Sequence, residues 1–316
     1  MLQQTRVTTV IPYYQRFLQR YPDIRSLSLA SLDEVLALWS GLGYYSRGRN
    51  LHKTANIIVR DYQGKFPCQN SIIKQLPGIG RSTAAAIQVF AFGKRYAILD
   101  GNVKRILARY FGVKGHYGER KSEILLWKMA EELLPENRIS GDIEAYSQGL
   151  MDLGSTICTR YKPKCTECPF HLKCTALQEN KIGELPAARR PRKSLLVKET
   201  MMLMIIKRKE ILLERRPSKG IWGGLWCLPE MPVNENISLF CNQKLGLEIK
   251  QLVHMPSADH SFTHFKLRIY PRSMLTDSTK LIINQVERKW MPISRAMELG
   301  IPAPVRSLLN LNFVHK

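Results

Sequence analysis

The sequence predicts a protein of two parts, an all-α part followed by an α+β part. Over roughly the first 180 of the 316 residues, apolar side chains recur at the spacing of a helix, whereas short apolar runs typical of strands prevail after about residue 195. Between them, GELPAARRPRKS (residues 183–194) holds glycine, proline and a basic cluster without periodicity, as a solvated linker does. We therefore predict domains at 1–182 and 195–316, joined by a basic linker at 183–194.

The charge of the chain predicts a polyanionic partner. Lysine and arginine together number 48 against 26 aspartate and glutamate residues, which gives a formal net charge of +22 and an isoelectric point near 9.9. Such an excess of positive charge suits nucleic acid. The sequence has no apolar run long enough to span a bilayer and no export signal, so we expect a cytoplasmic protein without a membrane partner.

The first candidate contacts to nucleic acid lie in GLGYYSRGRNLHKTA (residues 41–55), just after a helix predicted from the capping-box pattern of Ser31 and Glu34. Two tyrosines stand there between glycines and a basic run that includes Arg47. Aromatic rings stack on bases and arginines contact phosphates, which makes Tyr44 and Arg47 candidate DNA-binding residues. The competing interpretation is that the tyrosines pack in a helical core.

A glycine-rich hairpin is predicted in LPGIGRSTAAAIQVFAFG (residues 76–93), between the end of one helix and the start of the next. Because Gly78 and Gly80 lack Cβ, the backbone can turn tightly there, and its N–H groups can approach a phosphate at the positive end of the following helix. The pattern indicates a helix-hairpin-helix motif. A plain turn between packed helices is the alternative, and the net charge favours DNA binding.

A candidate catalytic carboxylate follows in ILDGNVKRILARYFG, where Asp100 and Gly101 precede a basic helix. Aspartate before a helix is most often an N-cap, and spacing alone does not exclude that role. In a DNA-binding cleft, the same carboxylate can stabilise the positive charge that develops on a sugar as its glycosidic bond breaks.

Four cysteines in the pattern C-x6-C-x2-C-x5-C, at positions 158 to 174, predict a metal centre. Zinc sites usually have two paired Cys-x2-Cys knuckles and this stretch has one, so an iron–sulfur cluster competes with zinc on spacing alone. The other three cysteines, Cys68, Cys227 and Cys241, are isolated and are predicted to be small buried apolar groups. An odd total of seven cysteines argues against a disulfide framework.

Strands are predicted in three stretches of the second part. ETMMLMIIKRKEILLERRP has the pattern of two strands joined by a tight basic turn, and HSFTHFKLRIYP and VERKWMPI have the pattern of further strands. The second part is therefore predicted to be α+β.

Taken in order, LQQT, GLGYYSR, LPGIGRSTA, LDGNVKR and the cysteine cluster resemble the adenine DNA glycosylases of the MutY type, within the helix-hairpin-helix glycosylase superfamily. The tail stretches ERRPSKGIWGGLWCLPE and HSFTHF resemble the Nudix-like C-terminal domain of the same family, so the similarity covers nearly the whole chain. The resemblance implies a helix-hairpin-helix domain with an iron–sulfur loop at residues 158–174, a Nudix-like domain, and a monomer. It also implies excision of adenine mispaired with 8-oxoguanine or guanine, after the adenine is flipped out of the duplex.

The resemblance also implies roles for individual residues. Asp100 would stabilise the sugar cation, and Asn102 would help to hold it. The cysteines Cys158, Cys165, Cys168 and Cys174 would hold a [4Fe–4S] cluster. The implied DNA contacts are Leu2, Gln3, Gln4, Tyr44, Arg47, Gly78, Gly80, Ser82, Lys104, Phe262, Thr263 and His264. Of these, residues 262–264 would sense 8-oxoguanine, and Thr263 stands where the family more often has serine.

Two rival enzymes fit the residues less well. A lyase resembling endonuclease III needs a lysine nucleophile directly after the arginine of the hairpin, where this chain has Ser82, so excision without strand cleavage is expected. A nucleotide pyrophosphatase needs a glutamate-rich Nudix box, and the stretch after LPE lacks its paired glutamates.

One departure concerns the general acid. The family has a glutamate two residues before the methionine of Glu-Val-Met-Leu-Gln-Gln-Thr, and this sequence begins at that methionine. We therefore expect a chain truncated at its N-terminus, which binds lesion duplexes but excises adenine poorly, since general acid catalysis is typically worth roughly 10²- to 10⁴-fold. The alternative function is that of a non-catalytic lesion-binding protein.

Overall fold

The computed structural model groups the chain into two compact units that differ from the predicted domains. One unit combines residues 1–65 with residues 193–316, and the other comprises residues 66–192. The predicted boundaries stay a prediction, because most of the linker lies outside the described residues. The structure describes residues 1–116, 118–136, 141–187, 196–262, 265–278, 280–282 and 286–313.

Helices make up the N-terminal segment of the first unit. They are α1 (Val7–Arg20), α2 (Ile24–Leu29), α3 (Leu32–Trp39) and α4 (Ser46–Tyr62). The predicted capping box is present at the start of α3: the Glu34 N–H donates to Ser31 Oγ at 3.2 Å, and the Ser31 N–H donates to Glu34 Oε2 at 2.9 Å. Reciprocal bonds of this kind satisfy two backbone donors that the helix itself leaves without partners.

The second unit is also helical. Its helices are α5 (Asn70–Ile73), α6 (Arg81–Phe92), α7 (Gly101–Tyr110), α8 (Arg120–Glu132), α9 (Asp142–Thr156) and α10 (Thr175–Gln178). The apolar residues of α7 and α8 that share a core recur three or four positions apart, as in Val103 and Leu107 or Leu126 and Ala130. That periodicity is the pattern from which the all-α part was predicted.

A mixed β-sheet dominates the rest of the first unit. Its strands are β1 (Leu196–Lys207), β2 (Glu210–Arg215), β3 (Trp226–Cys227), β4 (Glu230–Met231), β5 (Lys250–His254), β6 (Ala258–Ser261), β7 (Phe265–Leu275) and β8 (Arg288–Pro292). The main path is ordered β3-β2-β1-β7-β5, with β1 antiparallel to β2 and parallel to β7. Three helices accompany the sheet. Helix α11 (Ile237–Phe240) lies between β4 and β5, and α12 (Ile293–Ala296) and α13 (Ala303–Phe313) follow β8.

The predicted strands are present, and burial explains their composition. Strand β1 reads MMLMI over its five fully buried positions, because a central strand covered on both faces carries a continuous apolar run rather than an alternating one. The predicted tight basic turn between β1 and β2 pairs Lys207 with Glu210. No helix in the described part of the chain has both the length and the apolar character needed to cross a membrane.

The first helices and the sheet share one hydrophobic core. Leu36 and Trp39 of α3, each only 1% exposed, belong to the same buried cluster as Met204 of β1 and Leu308 of α13. The packing is tight: a Cβ added to Gly300 would lie 2.9 Å from the Leu36 Cβ. Residues that lie more than 160 positions apart in the sequence therefore complete a single core.

Asp33 links the same two regions through polar contacts. Its carboxylate accepts a hydrogen bond from the Trp226 indole Nε1–H at 3.2 Å and forms an ion pair with Arg215. Arg215 also pairs with Glu287 at 3.1 Å. Because Trp226 is buried, its indole N–H needs an acceptor, and the acceptor comes from the N-terminal helices.

We predict that Leu36→Ala destabilises the sheet as well as α3. The substitution should lower the free energy of unfolding by about 2 to 5 kcal/mol, as for other buried leucines. Leu29→Ala, at a leucine that is 87% exposed, is the matched control and should stay within about 0.5 kcal/mol. Urea denaturation measures the loss, and amide exchange should accelerate in β1 and β2 together with α3. Acceleration confined to α3 would contradict a shared core.

Candidate functional site

Asp100 is the N-cap of α7. Its Oδ1 accepts hydrogen bonds from the N–H of Asn102 at 2.9 Å and of Val103 at 2.8 Å. The side chain is half-buried, and no described residue donates a hydrogen bond to its Oδ2. The N-cap interpretation is therefore correct, and it leaves one carboxylate oxygen available for a ligand.

The helix that Asp100 caps is fixed to the loop of the cysteines. Asn102 Oδ1 accepts a hydrogen bond from the Arg105 guanidinium at 2.9 Å, and Arg105 Nε–H donates to the Cys158 carbonyl at 2.7 Å. On α9, Gly154 permits this approach, since a Cβ there would lie 2.5 Å from the Asn102 Cβ. Asn102 and Arg105 of α7 thus connect the helix that Asp100 caps to the cysteine loop.

Arg109, one helical turn after Arg105, is buried in the second unit. Its guanidinium donates to the carbonyls of Leu185 at 2.8 Å, Thr159 at 2.7 Å and Arg160 at 3.2 Å, and lies 3.4 Å from the Cys158 Sγ. A buried cation is tolerated only when its donors are satisfied, and backbone carbonyls satisfy them here. Arg105 and Arg109 therefore hold the cysteine loop, a role that the sequence did not reveal.

The four clustered cysteines line one cavity of about 30 Å³ together with Arg109. Burial raises the pKa of the Cys165 thiol, the neighbouring Cys158 thiol raises it further, and Arg109 opposes both. All four thiols therefore lie around the same volume, and thiolates are ligands of zinc and of iron–sulfur clusters alike.

The remaining cysteines divide between buried and exposed positions. Cys227 and Cys241 are buried, as predicted, and burial raises the pKa of Cys241 to about 12. The prediction was wrong for Cys68, which is exposed in the turn before α5. Its carbonyl accepts hydrogen bonds from Gln88 and Lys94, so the backbone of Cys68, rather than its thiol, makes these contacts.

The predicted hairpin is a tight turn directly before α6. Gly78 adopts a φ of +78°, a left-handed conformation that favours glycine, and the Ile79 N–H closes the turn on the Leu76 carbonyl at 3.1 Å. Gly80 precedes α6 without any side-chain cap, and a Cβ there would meet nothing within 4 Å. The helix α6 thus begins without a side-chain cap on its N-terminus, and Ser82 is half-buried in its first turn.

Arg47 organises the predicted contacts of the N-terminal segment. Its guanidinium donates to the carbonyls of Met1 and Gln3 and, at 2.9 Å, to the Thr5 hydroxyl. Residues 1–5, including the exposed Leu2, are thereby held beside the loop that precedes α4. The two terminal nitrogens of the guanidinium thus bind protein atoms, and the proposed role of Arg47 in DNA contact stays a prediction.

One tyrosine of the pair packs in the core, and the other is exposed and could contact DNA. Tyr45 is buried in the shared core, whereas Tyr44 is 48% exposed and has a left-handed φ of +48°. Gln4 is also exposed with a φ of +57°. Non-glycine residues in this conformation are strained and cluster at functional sites, which favours a contact role for Gln4 and Tyr44.

The remaining predicted DNA contacts are Lys104 and residues 262–264, and of these the structure describes Lys104 and Phe262. Lys104 pairs with Glu123 at 2.5 Å, and its side chain is 16% exposed, so an acidic neighbour occupies this predicted phosphate contact. Phe262 stacks on Phe265 with ring centroids 4.6 Å apart. Thr263 and His264, between them, lie outside the described residues.

Glu144 of α9 is a candidate that the sequence did not indicate. One of its carboxylate oxygens is buried without a hydrogen-bond partner among the described residues, and the other lies 3.3 Å from where a Cβ on Gly93 would be. A buried carboxylate oxygen without a donor is costly unless a ligand supplies one. An isolated glutamate in a helical pattern gives no signal of this kind.

Two family models match the chain. The HhH-GPD superfamily base excision DNA repair protein model matches residues 1–132, and the NUDIX domain model matches residues 201–311, which confirms the predicted fold class.

Proteins named adenine DNA glycosylase are similar over almost the whole length. The one from Buchnera aphidicola subsp. Acyrthosiphon pisum is 39% identical over 98% of this chain and 87% of its own, and the one from subsp. Schizaphis graminum is 37% identical over 98% and 88%. Among solved structures, a thermostable thymine-DNA glycosylase matches 56% of this chain and 80% of its own at a TM-score of 0.50 and 31% identity.

We predict opposite effects for alanine at two glycines of α9. Gly154→Ala should destabilise the protein by about 1 to 3 kcal/mol, because the new Cβ overlaps Asn102. Gly149→Ala, where a Cβ would meet nothing within 4 Å, should stabilise the same helix by roughly 0.5 to 1 kcal/mol. Thermal and urea unfolding of both variants measure the difference. Equal effects would mean that α7 does not approach α9 at Gly154.

Proposed function

The chain belongs to the adenine DNA glycosylase family, and we propose that it removes adenine from duplex DNA in which adenine stands opposite 8-oxoguanine or guanine. The observation that carries the proposal is Asp100, an N-cap carboxylate with one oxygen fixed by two backbone N–H groups and one oxygen without a described donor. The relatives are named for the enzyme, so the alternative of a non-catalytic lesion-binding protein is not supported.

Asp100 would act on the sugar of the adenosine. As the glycosidic bond breaks, positive charge develops at the anomeric carbon, and a preorganised carboxylate nearby stabilises it electrostatically. The two backbone bonds to Oδ1 hold the carboxylate before the substrate arrives, so that little reorganisation is needed during the reaction. Asn102 would support this placement through Arg105 and the cysteine loop.

The open hairpin and the exposed N-terminal residues would bind the duplex. A phosphate group would be bound by the N–H groups at the start of α6, next to Gly78 and Gly80. Gln4 and Tyr44 would enter the base stack, since both are exposed and held in fixed backbone conformations. The net charge of +22 would supply the affinity that does not depend on sequence.

We propose excision without strand cleavage. A bifunctional glycosylase needs an amine that forms a Schiff base with the sugar, and Ser82 offers a hydroxyl at the hairpin position where related lyases have lysine. Water would then be the nucleophile. The protein would act as a monomer in the cytoplasm, with residues 262–264 as readers of 8-oxoguanine.

The four clustered cysteines would hold a [4Fe–4S] cluster. They fit such a group because they surround one cavity, and because the Arg109 guanidinium supplies positive charge beside four thiolates. When bound, the cluster cross-links the loop through four iron–thiolate bonds. Because Arg105 and Arg109 of α7 bind carbonyls of this loop, a rigid loop would also restrict the motion of α7.

The proposed catalytic role predicts that Asp100→Asn slows adenine excision by roughly 10²-fold or more, while duplex affinity changes only a few-fold. Asparagine is as good an N-cap as aspartate, so only the charge is lost. Asp23→Asn, at the N-cap of α2, is the matched control and should leave the rate unchanged. Single-turnover assays on an adenine:8-oxoguanine duplex measure the rates.

The same assays test the rest of the proposal. The abasic strand should stay intact until it is treated with hot alkali. Equal rates for Asp100→Asn and wild type, or efficient trapping of a covalent DNA adduct by borohydride, would contradict the mechanism.

The proposed cluster predicts a brown protein with about four iron and four sulfide per chain. Cys165→Ser should lower the iron content sharply, whereas Cys68→Ser, at an exposed and isolated cysteine, should leave it unchanged. Metal analysis and visible absorbance provide the measurement. A colourless protein with one zinc per chain would contradict the assignment.

A further inference from the structure

We infer that Arg49 is a positioning residue that fixes Phe262, the described member of the proposed 8-oxoguanine reader, relative to the loop of Tyr44, and so sets the preference for the base opposite adenine. The inference rests on the proposed function for its effect on specificity, and on described contacts within the first unit for its geometry. It concerns the Trp222 loop, residues 216–225, and the aromatic pair Phe262 and Phe265.

Arg49 binds the Trp222 loop directly. Its Nη1–H donates to the Gly223 carbonyl at 2.5 Å, and its Cδ would lie 3.8 Å from a Cβ on Gly224. The Arg49 side chain is half-buried, and this burial lowers the pKa of its guanidinium. A donor in such a place contributes more to order than an exposed one, because water does not replace it readily.

Arginines hold the loop on both sides of Trp222. Arg216, directly after β2, donates its Nε–H to the Ile221 carbonyl at 2.9 Å, while Arg49 holds the Gly223 carbonyl. Trp222 itself has a left-handed φ of +52°, which is unfavourable for a bulky side chain. A conformation of this kind persists only where the surroundings enforce it, and the two arginine–carbonyl bonds do so here.

The indole of Trp222 then supports Phe262. Its ring centroid lies 5.6 Å from that of His260 and 5.4 Å from that of Phe262. Phe262 stacks on Phe265, and the Phe262 N–H donates to the Phe265 carbonyl at 2.9 Å. Because the Phe262 ring packs against the indole of Trp222, and Arg49 binds the carbonyl of the next residue, Gly223, release of the loop should loosen Phe262.

The other side of the link is the start of α4. Arg49 and Arg47 both lie in its first turn, and Arg47 holds residues 1–5 next to Tyr44. One helical turn therefore carries the donor for the N-terminal segment and the donor for the Trp222 loop. The spacing between two proposed DNA-contacting elements is thus set by two residues in the first turn of the same helix.

The geometric part of the inference is tested without DNA. In Arg49→Met, the Phe262 amide should exchange with solvent at least about tenfold faster than in the wild type. Arg60→Met removes an exposed arginine of the same helix that pairs with the adjacent Asp61, and exchange should be unchanged there. Unchanged exchange in Arg49→Met would overturn the link, whatever the activity of the protein.

The specificity part is tested by a ratio of rates. Single-turnover excision of adenine opposite 8-oxoguanine, divided by excision opposite guanine, should fall about tenfold or more in Arg49→Met and less in Arg49→Lys, which keeps a charged donor. A loss of folded protein lowers both rates equally and leaves the ratio unchanged. A wild-type ratio near one would refute the proposed 8-oxoguanine function, whereas a high wild-type ratio preserved in Arg49→Met would refute the role of Arg49.

Discussion

The candidate functional segments of this protein depend on hydrogen bonds from arginine side chains to backbone carbonyls. Segments without helix or strand leave carbonyl groups that need donors, and a guanidinium offers five N–H groups in a rigid fork. Arg47 supplies them to the N-terminal segment, Arg216 to the Trp222 loop, and Arg105 and Arg109 to the cysteine loop. Each of these irregular segments can therefore present functional groups in a fixed position without regular secondary structure.

This use of arginine changes how the charge of the chain is understood. A net charge of +22 indicates a polyanionic partner, but it does not show which cations face that partner. Arg109 is almost fully buried, and Lys104 is paired with Glu123. Composition thus predicts the class of partner, whereas the residues that contact it are decided by tertiary structure.

Features encoded by neighbouring residues were predictable from the sequence. The capping box at Ser31, the N-cap at Asp100 and the left-handed Gly78 each follow from local backbone chemistry, and so do the buried strands. The carbonyls bound by Arg109 and the core that α3 shares with the sheet join residues far apart in sequence. The hydrophobic periodicity of the sequence does not predict such contacts, because they depend on how the helices and strands pack.

The shared core has a consequence for the order in which the chain folds during synthesis. Residues 66–192 form a continuous unit, whereas residues 1–65 contribute to a core that needs strands and a helix from the last third of the chain. Residues 1–65 therefore leave the ribosome before the strands and the helix that complete their core. Until those elements emerge, Leu36 and Trp39 lack the partners that bury them in the folded protein, so we expect chaperones that bind apolar segments to meet these helices during synthesis.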